Sequence, residues 1–345
     1  FKEKLLNVET KEEKEKINEA LNDRINELYE QGIHIETYLH RDAQEKAAEA
    51  IEKHVPYADI QGAAAIIDHT KDAVIAITGG KNYNKFNFHR GFQAYRQPGS
   101  SIKPLLVYGP YFSEYKKPIH TLVNANNFCK NGYCPRNFGG AQYGNVTIEQ
   151  AFIHSYNTPA VRLLDEIGTE RAFSYLEKFS FSKLSPSDYT LSSALGGFTN
   201  GMTLLEMTNA YTTFASDGTF TKARGIKQVK DKEGNVLYEW DKEPIPVWSK
   251  TANEQLKTLL HRTVTRGTGK KAYVPGSYVG GKTGTTDDYK DIWFIGIYND
   301  YTAGVWVGKD EPKSLKAIYN IAPQQLVWKE IMTALAQNSV VKEED

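Results

Sequence analysis

The segment Gln97-Pro98-Gly99-Ser100-Ser101-Ile102-Lys103-Pro104 constrains this chain most, because its prolines and glycine fix where a helix has to begin. Pro98 and Gly99 resist helical continuation, and Pro104 lacks a backbone N–H, a loss that is harmless only in a first turn. The helix therefore starts near Gly99 and carries Ser100 at its N-terminus. Positions i and i+3 share a helix face, so the Lys103 amine is expected within reach of the Ser100 hydroxyl, beside free N–H groups and the positive end of the helix dipole. Ser100 reads as a nucleophile, and with the Lys103 amine beside it the segment gives the outline of an acyl-transfer site. Leu105, Leu106 and Val107 then lead the same helix from surface chemistry into core.

Ser-x-x-Lys by itself recurs by chance, and its plain reading is a capping Ser followed by a solvated Lys. Two further elements follow in order, Ser155-Tyr156-Asn157 and Lys282-Thr283-Gly284. Thr147 and Gln150 form a capping box for a helix through Phe152, and Thr158-Pro159 caps and starts the next. Ser155 and Asn157 then lie on a short non-helical turn where alternate side chains point one way, although both residue types are also ordinary caps. The third element overlaps a rival: residues 276–283 satisfy G-x-x-x-x-G-K-[ST], the phosphate loop of NTPases. Such a loop leaves a strand and opens a helix, whereas Val274-Pro275 precede this one and alternating apolar residues follow it. Read as a strand, Thr283 and Thr285 share a face where two hydroxyls can hold a carboxylate. Gly284 leaves room for an extended peptide along the edge, and Lys282 adds positive potential.

The rest of the chain supplies a scaffold. A charged helix over residues 11–30 carries one narrow apolar stripe (Ile17, Leu21, Ile25, Leu28), ends at Gly32 and is followed by a strand over 33–38. A helix over 43–54 and a hairpin of 63–67 with 73–78 precede the Ser100 segment. After it come helices to about residue 183, then over 203–214 and 252–264, with a hairpin at 226–240. Strands over 279–286, 292–298 and 302–308 and a closing helix over 322–335 complete the pattern. Two strands early, three late and helices between predict one sheet whose halves meet around a helical insertion, an α/β chain of the α+β type. With 345 residues, 40% hydrophobic and 24% charged, the composition is that of a globular protein. Lys+Arg 42 against Asp+Glu 42 gives no electrostatic argument for nucleic acid. No apolar run reaches the ~18 residues of a membrane span, and no signal peptide is evident. The chain opens at Phe1 rather than Met and reads as an excised or processed piece. Cys129 and Cys134 flank Asn131-Gly132, which can turn the chain so that the sulfurs meet. A loop-closing disulfide and a pair of free thiols both remain open.

Together, Arg96-Gln-Pro-Gly-Ser-Ser-Ile-Lys-Pro104, Ser155-Tyr-Asn157, Ala194-Leu-Gly-Gly197, Gly267-Thr-Gly269, Lys282-Thr-Gly-Thr-Thr286 and Asp291-Ile-Trp-Phe294 resemble the transpeptidase domain of class A (bifunctional) penicillin-binding proteins. The resemblance implies the penicillin-binding/β-lactamase-like fold, a mostly antiparallel five-stranded sheet flanked by helices. It implies a linker over residues 1–32 and a transpeptidase domain over 33–345, with a sheet part at 60–95 plus 270–345 and a helical insertion at about 100–265. It further implies a bacterial cell-wall enzyme on the outer face of the cytoplasmic membrane, whose tether and glycosyltransferase domain are absent from this piece. In that family's chemistry Ser100 attacks the D-alanyl-D-alanine bond of a peptidoglycan stem peptide, terminal D-alanine leaves, and a second stem's amine resolves the acyl-enzyme. Lys103 would be the base, made neutral by burial or by Lys282. Ser155 would relay a proton, Asn157 hold the substrate amide, and Thr283 and Thr285 bind the carboxylate, with Tyr156 and Gly284 bordering the substrate. Backbone N–H groups of Ser100 and Thr285 would form the oxyanion hole. β-Lactams would acylate Ser100, and no metal or cofactor is implied. A β-lactamase shares the three motifs but normally adds a water-activating Glu, which has no evident position here, and Tyr156 stands where an Asp is usual. A non-enzymatic β-lactam sensor of the same fold is the other alternative.

Overall fold

The computed structural model describes Val8 and residues 10–337. The first seven positions and Glu9 of the expected linker, and residues 338–345, lie outside the described residues. The described chain divides into two units. The smaller contains residues up to Tyr38 together with Arg224–Lys242. Its helix Lys11–Gln31 is N-capped by Thr10, ends at Gly32 (φ 83°) and buries none of its residues, as the narrow apolar stripe predicts. Strand Ile33–Thr37 pairs with Ile226–Asp231, which pairs in turn with Val236–Glu239. The hairpin expected at 226–240 therefore exists, and its partner comes from about two hundred residues upstream.

The larger unit is built on strands β1 (Gln61–Asp68), β2 (Ala73–Ile77), β3 (Val279–Thr285), β4 (Asp291–Tyr298) and β5 (Tyr301–Gly308). They form one sheet of order β3-β4-β5-β1-β2, antiparallel at every pairing. Early and late strands meet where β5 pairs with β1, the convergence expected from sequence. All eight residues of β4 and seven of eight in β5 are buried. Helices cover both faces, so these strands read as continuous apolar runs instead of alternating ones. The covering helices include α1 (Arg41–His54), α4 (Leu204–Ala215) and α6 (Pro323–Gln337), while α2 (Ile148–Ile153), α3 (Asn157–Ile167) and α5 (Lys250–Arg266) build the insertion. Strand β3 is an edge, and its free side faces the Ser100 segment.

That segment is helical but not a plain α-helix. Gly99–Ile102 forms a 3-10 turn, Pro104–Tyr108 is wound as a π-helix closed by Gly109 N–H donating to the Pro104 carbonyl, and only Gly109–Tyr115 is α-helical. The cause is local: Gly99 enters at φ 53° and Pro104 offers no N–H, so the regular i→i−4 ladder cannot run through. Every residue over 101–112 is buried, which makes this a core helix apolar on all sides apart from Ser101 and Lys103.

Two glycines let the helix start sit so deep. A Cβ on Gly99 would lie 2.5 Å from the Thr285 carbonyl oxygen, and one on Gly196 (φ 91°) would lie 2.4 Å from Gly99 Cα. The chain at Gly99 is thus pressed, backbone to backbone, between the Gly196 turn and the end of β3. Gln97 tightens the arrangement, its Oε1 accepting from Phe198 N–H at 2.8 Å, while Trp293 Nε1 donates to the Gln97 carbonyl at 2.9 Å. Gly196→Ala is expected to lower the unfolding free energy by about 2–5 kcal/mol, combining a left-handed penalty with overpacking. Gly132, also left-handed (φ 80°) but open on all sides, should tolerate Ala at about 1–2 kcal/mol. Urea unfolding of the two variants measures the difference, and equal losses would contradict the packing explanation.

Candidate active site

Ser100 sits on the 3-10 turn, Ser155 on the turn between α2 and α3, and Lys282, Thr283 and Thr285 on β3. The structure brings all three segments to one cleft. Lys103 and Lys282 are both fully buried. The Lys282 amine donates to Ser155 Oγ at 2.8 Å and to the Thr283 carbonyl at 3.0 Å. The Lys103 amine lies 2.9 Å from the Ser155 carbonyl, 3.0 Å from the Tyr156 carbonyl, 2.9 Å from Asn157 Oδ1 and 3.5 Å from Ser155 Oγ. The sequence placed this amine beside Ser100, whereas its hydrogen bonds among the described residues run to the 155–157 turn. Burial, and then the neighbouring Lys282 charge, push the Lys103 amine well below the usual lysine range. Burial lowers Lys282 to about 7. A hydroxyl therefore stands between two amines that are readily neutral near physiological pH.

The turn that presents Ser155 is shaped by groups the sequence did not indicate. Ser155 adopts φ 58°, unusual for a residue with a side chain, and is pinned by Ser155 N–H to Phe152 O and Tyr156 N–H to Ala151 O, both at 2.9 Å. Asn157 is already the first residue of α3, two positions ahead of the expected start at Pro159, and the side chain that caps its N–H groups comes from Asn137. The buried Asn137 Oδ1 accepts from the N–H groups of Asn157 (2.9 Å) and Thr158 (3.0 Å) and from Thr158 Oγ1 (3.2 Å). Its Nδ2 donates to the carbonyls of Ala125 and Ala141 at 2.7 and 3.0 Å. A capping side chain twenty residues upstream in sequence leaves no periodic signal. Both ends of the Asn157 amide are engaged, Oδ1 with Lys103 and Nδ2 with the Arg136 carbonyl at 3.0 Å. Within the same loop Cys129 and Cys134 are disulfide-bonded.

Two lobes open on either side of Ser100. One, about 440 Å3, is lined by Ser100, Ser155, Thr268, Thr283 and Thr285, and the Thr268 and Thr283 hydroxyls stand 2.8 Å apart. Its walls are aromatic: Tyr156 stacks on Tyr143 at 4.0 Å between ring centroids, and Phe138 meets Tyr289, which meets Tyr319. The other, about 590 Å3, shares Ser100, Asn157 and Thr285 and continues along Gln97, Gly197 and Asn200. Thr268 lies within the quoted Gly267-Thr-Gly269; Phe138, Tyr143, Tyr289 and Tyr319 carried no signal beyond being aromatic in loops or at a helix end. The NTPase alternative is corrected here: Val279–Thr285 is a strand laddered to β4, and the turn Asp287–Tyr289 follows it, so the strand-loop-helix a phosphate cradle requires is absent.

The fold is shared with solved transpeptidases. PonA1 from Mycobacterium tuberculosis in complex with penicillin V superposes with TM-score 0.80 at 22% identity over 94% of this chain and 91% of that one. The D,D-transpeptidase domain of a peptidoglycan glycosyltransferase from Eggerthella lenta gives TM-score 0.72 at 21% identity over 90% of this chain and 84% of that chain. Residues 62–332 match the penicillin binding protein transpeptidase domain, and the chain belongs to that family. Penicillin-binding protein 4 of Bacillus subtilis is 49% identical over 93% of this chain and 52% of its own length. Penicillin-binding protein 1A of Aquifex aeolicus is 38% identical over 74% of this chain and 35% of its own. The chain thus spans about half or less of the length of these relatives.

Lysine burial has a consequence for stability. Unfolded lysines hold their protons up to about pH 10.4, whereas folded Lys282 loses its proton at about 7, so across that window the unfolded state binds more protons and stability rises with pH. The gain is at most about 1.4 kcal/mol per pH unit for each such group. Unfolding free energies at several pH values between 7 and 10 should show Lys282→Met flattening this rise; an unchanged slope would contradict the assignment.

Proposed function

We propose that this chain is the transpeptidase domain of a class A penicillin-binding protein, a D,D-transpeptidase that crosslinks peptidoglycan stem peptides through an acyl-enzyme on Ser100. The observation that supports this most is the Ser155 hydroxyl set between two fully buried lysine amines at the floor of a cleft shared with Ser100. In this reading neutral Lys103 takes the Ser100 proton as Ser100 Oγ attacks the penultimate D-alanine carbonyl. The N–H groups of Ser100 and Thr285 receive the oxyanion. Ser155, fed by Lys103 and Lys282, passes a proton to the departing D-alanine nitrogen, and Thr283 and Thr285 hold its carboxylate. Asn157 keeps Lys103 in place through Oδ1 and turns its amide toward the substrate only by giving up the Arg136 carbonyl. Tyr156 and Gly284 border the peptide. A second stem's amine completes the transfer.

β-Lactams would enter the same cycle and stop after acylation. The cellular setting in this reading is the outer face of a bacterial cytoplasmic membrane, with a glycosyltransferase domain and membrane tether elsewhere in the full-length protein. Intact-mass measurement after incubation with benzylpenicillin is expected to show one covalent adduct, lost in Ser100→Ala. An adduct surviving that substitution would move the nucleophile elsewhere. Rapid loss of the adduct would indicate a β-lactamase. Failure to release D-alanine from a stem-peptide mimic, with the adduct intact, would indicate a sensor.

A further inference from the structure

Cys129 and Cys134 take no part in the mechanism proposed above, yet their loop is fastened to both ends of α3. Strands Leu122–Asn124 and Asn145–Thr147 pair at its base, and Ala125 N–H donates to the Gly144 carbonyl at 2.7 Å. The described residues 125–144 between them hold no regular element beyond a 3-10 turn at Phe138–Gly140, so their order has to come from side chains. The first half of the loop is clamped to the later turns of α3. The Arg162 guanidinium stacks over the Phe128 ring at 4.0 Å and donates to the Asn126 carbonyl at 3.4 Å, and Lys130 pairs with Asp165. The second half is clamped to the start of α3. Asn137 Oδ1 lies 2.9 and 3.0 Å from the nitrogens of Asn157 and Thr158, and the Arg136 carbonyl accepts from Asn157 Nδ2 at 3.0 Å. The disulfide joins the two halves: Cys129 stands between Phe128 and Lys130, and Cys134 shortly precedes Arg136 and Asn137.

Resting on that reading, we infer that Asn137 is a positioning residue for acyl transfer and that the Cys129–Cys134 disulfide controls its hold on the Ser155 turn, so that a thiol reductant slows acylation of Ser100. With the bridge closed, Lys130 and Tyr133 exchange backbone hydrogen bonds of 2.9 Å around Asn131 and Gly132, and the chain runs from the anchored Phe128 to Asn137 without slack. Opening the bridge returns conformational freedom to this segment, and Asn137 then has to be ordered against that entropy. A vacated cap leaves the N–H groups of Asn157 and Thr158 without their acceptor. It also removes one of the supports that hold Ser155 at φ 58°. Asn137 acts through Ser155, by fixing where Oγ stands relative to the two lysine amines. Both cysteines are exposed, so a reductant reaches them without unfolding the chain. The reductant class is a dithiol. Its first thiolate bonds to one cysteine sulfur as the Sγ–Sγ bond breaks, and its second thiolate then displaces that cysteine. Each cysteine leaves as a thiolate and takes up a proton, and the dithiol ends as its own disulfide.

The test follows acylation by benzylpenicillin, read as intact mass against time, for the disulfide-bonded chain and for the chain reduced by a dithiol that is removed under nitrogen before the penicillin is added. The second-order acylation rate is expected to fall about fivefold on reduction, the size expected for loss of a helix cap, and to return on reoxidation. The chain carrying both Cys129→Ser and Cys134→Ser should show the slow rate with or without dithiol treatment. Asn137→Ala should be equally slow, and reduction should slow it no further, a result that a general loosening of the fold would not give. Should Asn137→Ala not fold, amide hydrogen exchange at Asn157 and Thr158 measures the same link in the wild type, and reduction is expected to speed it. An acylation rate unchanged by reduction overturns the inference while the Ser100 acyl-enzyme stands. So does a fall on reduction that persists in Asn137→Ala, or one without faster exchange at Asn157 and Thr158, either of which would route the effect through another residue of the loop. If the disulfide-bonded chain takes up no penicillin, the proposed function itself fails and this inference with it.

Discussion

Burying two lysine amines around one serine hydroxyl is the constraint on which the rest of this structure depends. An ammonium removed from water without a compensating anion is costly enough that the group surrenders its proton instead. Among the described residues nothing acidic is paired with Lys103: its partners are two carbonyls, an amide oxygen and a hydroxyl. Carbonyl acceptors alone would favour the charged form, but burial and the neighbouring Lys282 outweigh them, and the amine is driven well below its usual range. A neutral amine has two N–H groups and one lone pair. With four neighbours it can satisfy two acceptors and still offer the lone pair to a hydroxyl, which is what a base must do. The burial comes from the helix: a segment enclosed throughout residues 101–112 has no solvent-facing side on which Lys103 could escape.

Placing a helix start inside a protein raises the question of where its unpaired N–H groups go. Here the entry is made by close backbone approach. Gly99 lies against Thr285 and Gly196 so tightly that a methyl group on Gly99 or Gly196 would overlap main-chain atoms. The same approach brings the end of β3 beside Ser100, so the packing solution for the core is also the geometry that sets two backbone segments around the Ser100 side chain. A buried polar framework supports it from behind. Asp291, raised by burial, accepts from Trp306 Nε1 at 2.8 Å with Arg96 at 3.8 Å, and its backbone is tied to Thr286 by a 2.9 Å bond to Oγ1. The turn after β3 is therefore held from the first residue of β4.

The elements that could be read from sequence are those whose cause is local. Proline and glycine placed the Ser100 helix, the Thr147-Gln150 capping box is present as read, apolar β-branched runs located β1 and β2, and the short strands expected over 279–286, 292–298 and 302–308 are present as β3, β4 and β5. The three motifs could be ordered because each is contiguous. Features with non-local causes were invisible. Pairing of Ile33–Thr37 with Ile226–Asp231 depends on chain return over most of the molecule. The Asn137 cap is a single polar residue in a loop, indistinguishable there from any solvated Asn. The π-helical winding of Pro104–Tyr108 follows from Pro104, yet its burial, which decides that no water can repair the ladder, is a property of the assembled core. The aromatic walls of the cleft were likewise unreadable, because loop Phe and Tyr gain meaning only from what stands opposite.

Ser155 shows how these local and non-local causes meet. Its left-handed backbone costs an L-residue about 1–2 kcal/mol. A glycine would remove that strain, but it would also remove the hydroxyl between the lysines. The strained conformation persists because the surrounding bonds over-determine it: Phe152 accepts from its N–H, Lys103 donates to its carbonyl, Ala151 accepts from the next N–H, and Asn137 caps the helix that follows. Each of these contacts is worth roughly 1 kcal/mol net, so the four together, about 4 kcal/mol, outweigh the strain. The margin is also why the turn has no freedom: left-handed backbone at Ser155 directs its carbonyl at one lysine while its Oγ reaches the other. Relaxing the turn to ordinary helical geometry would continue α2 and carry the hydroxyl away from both amines.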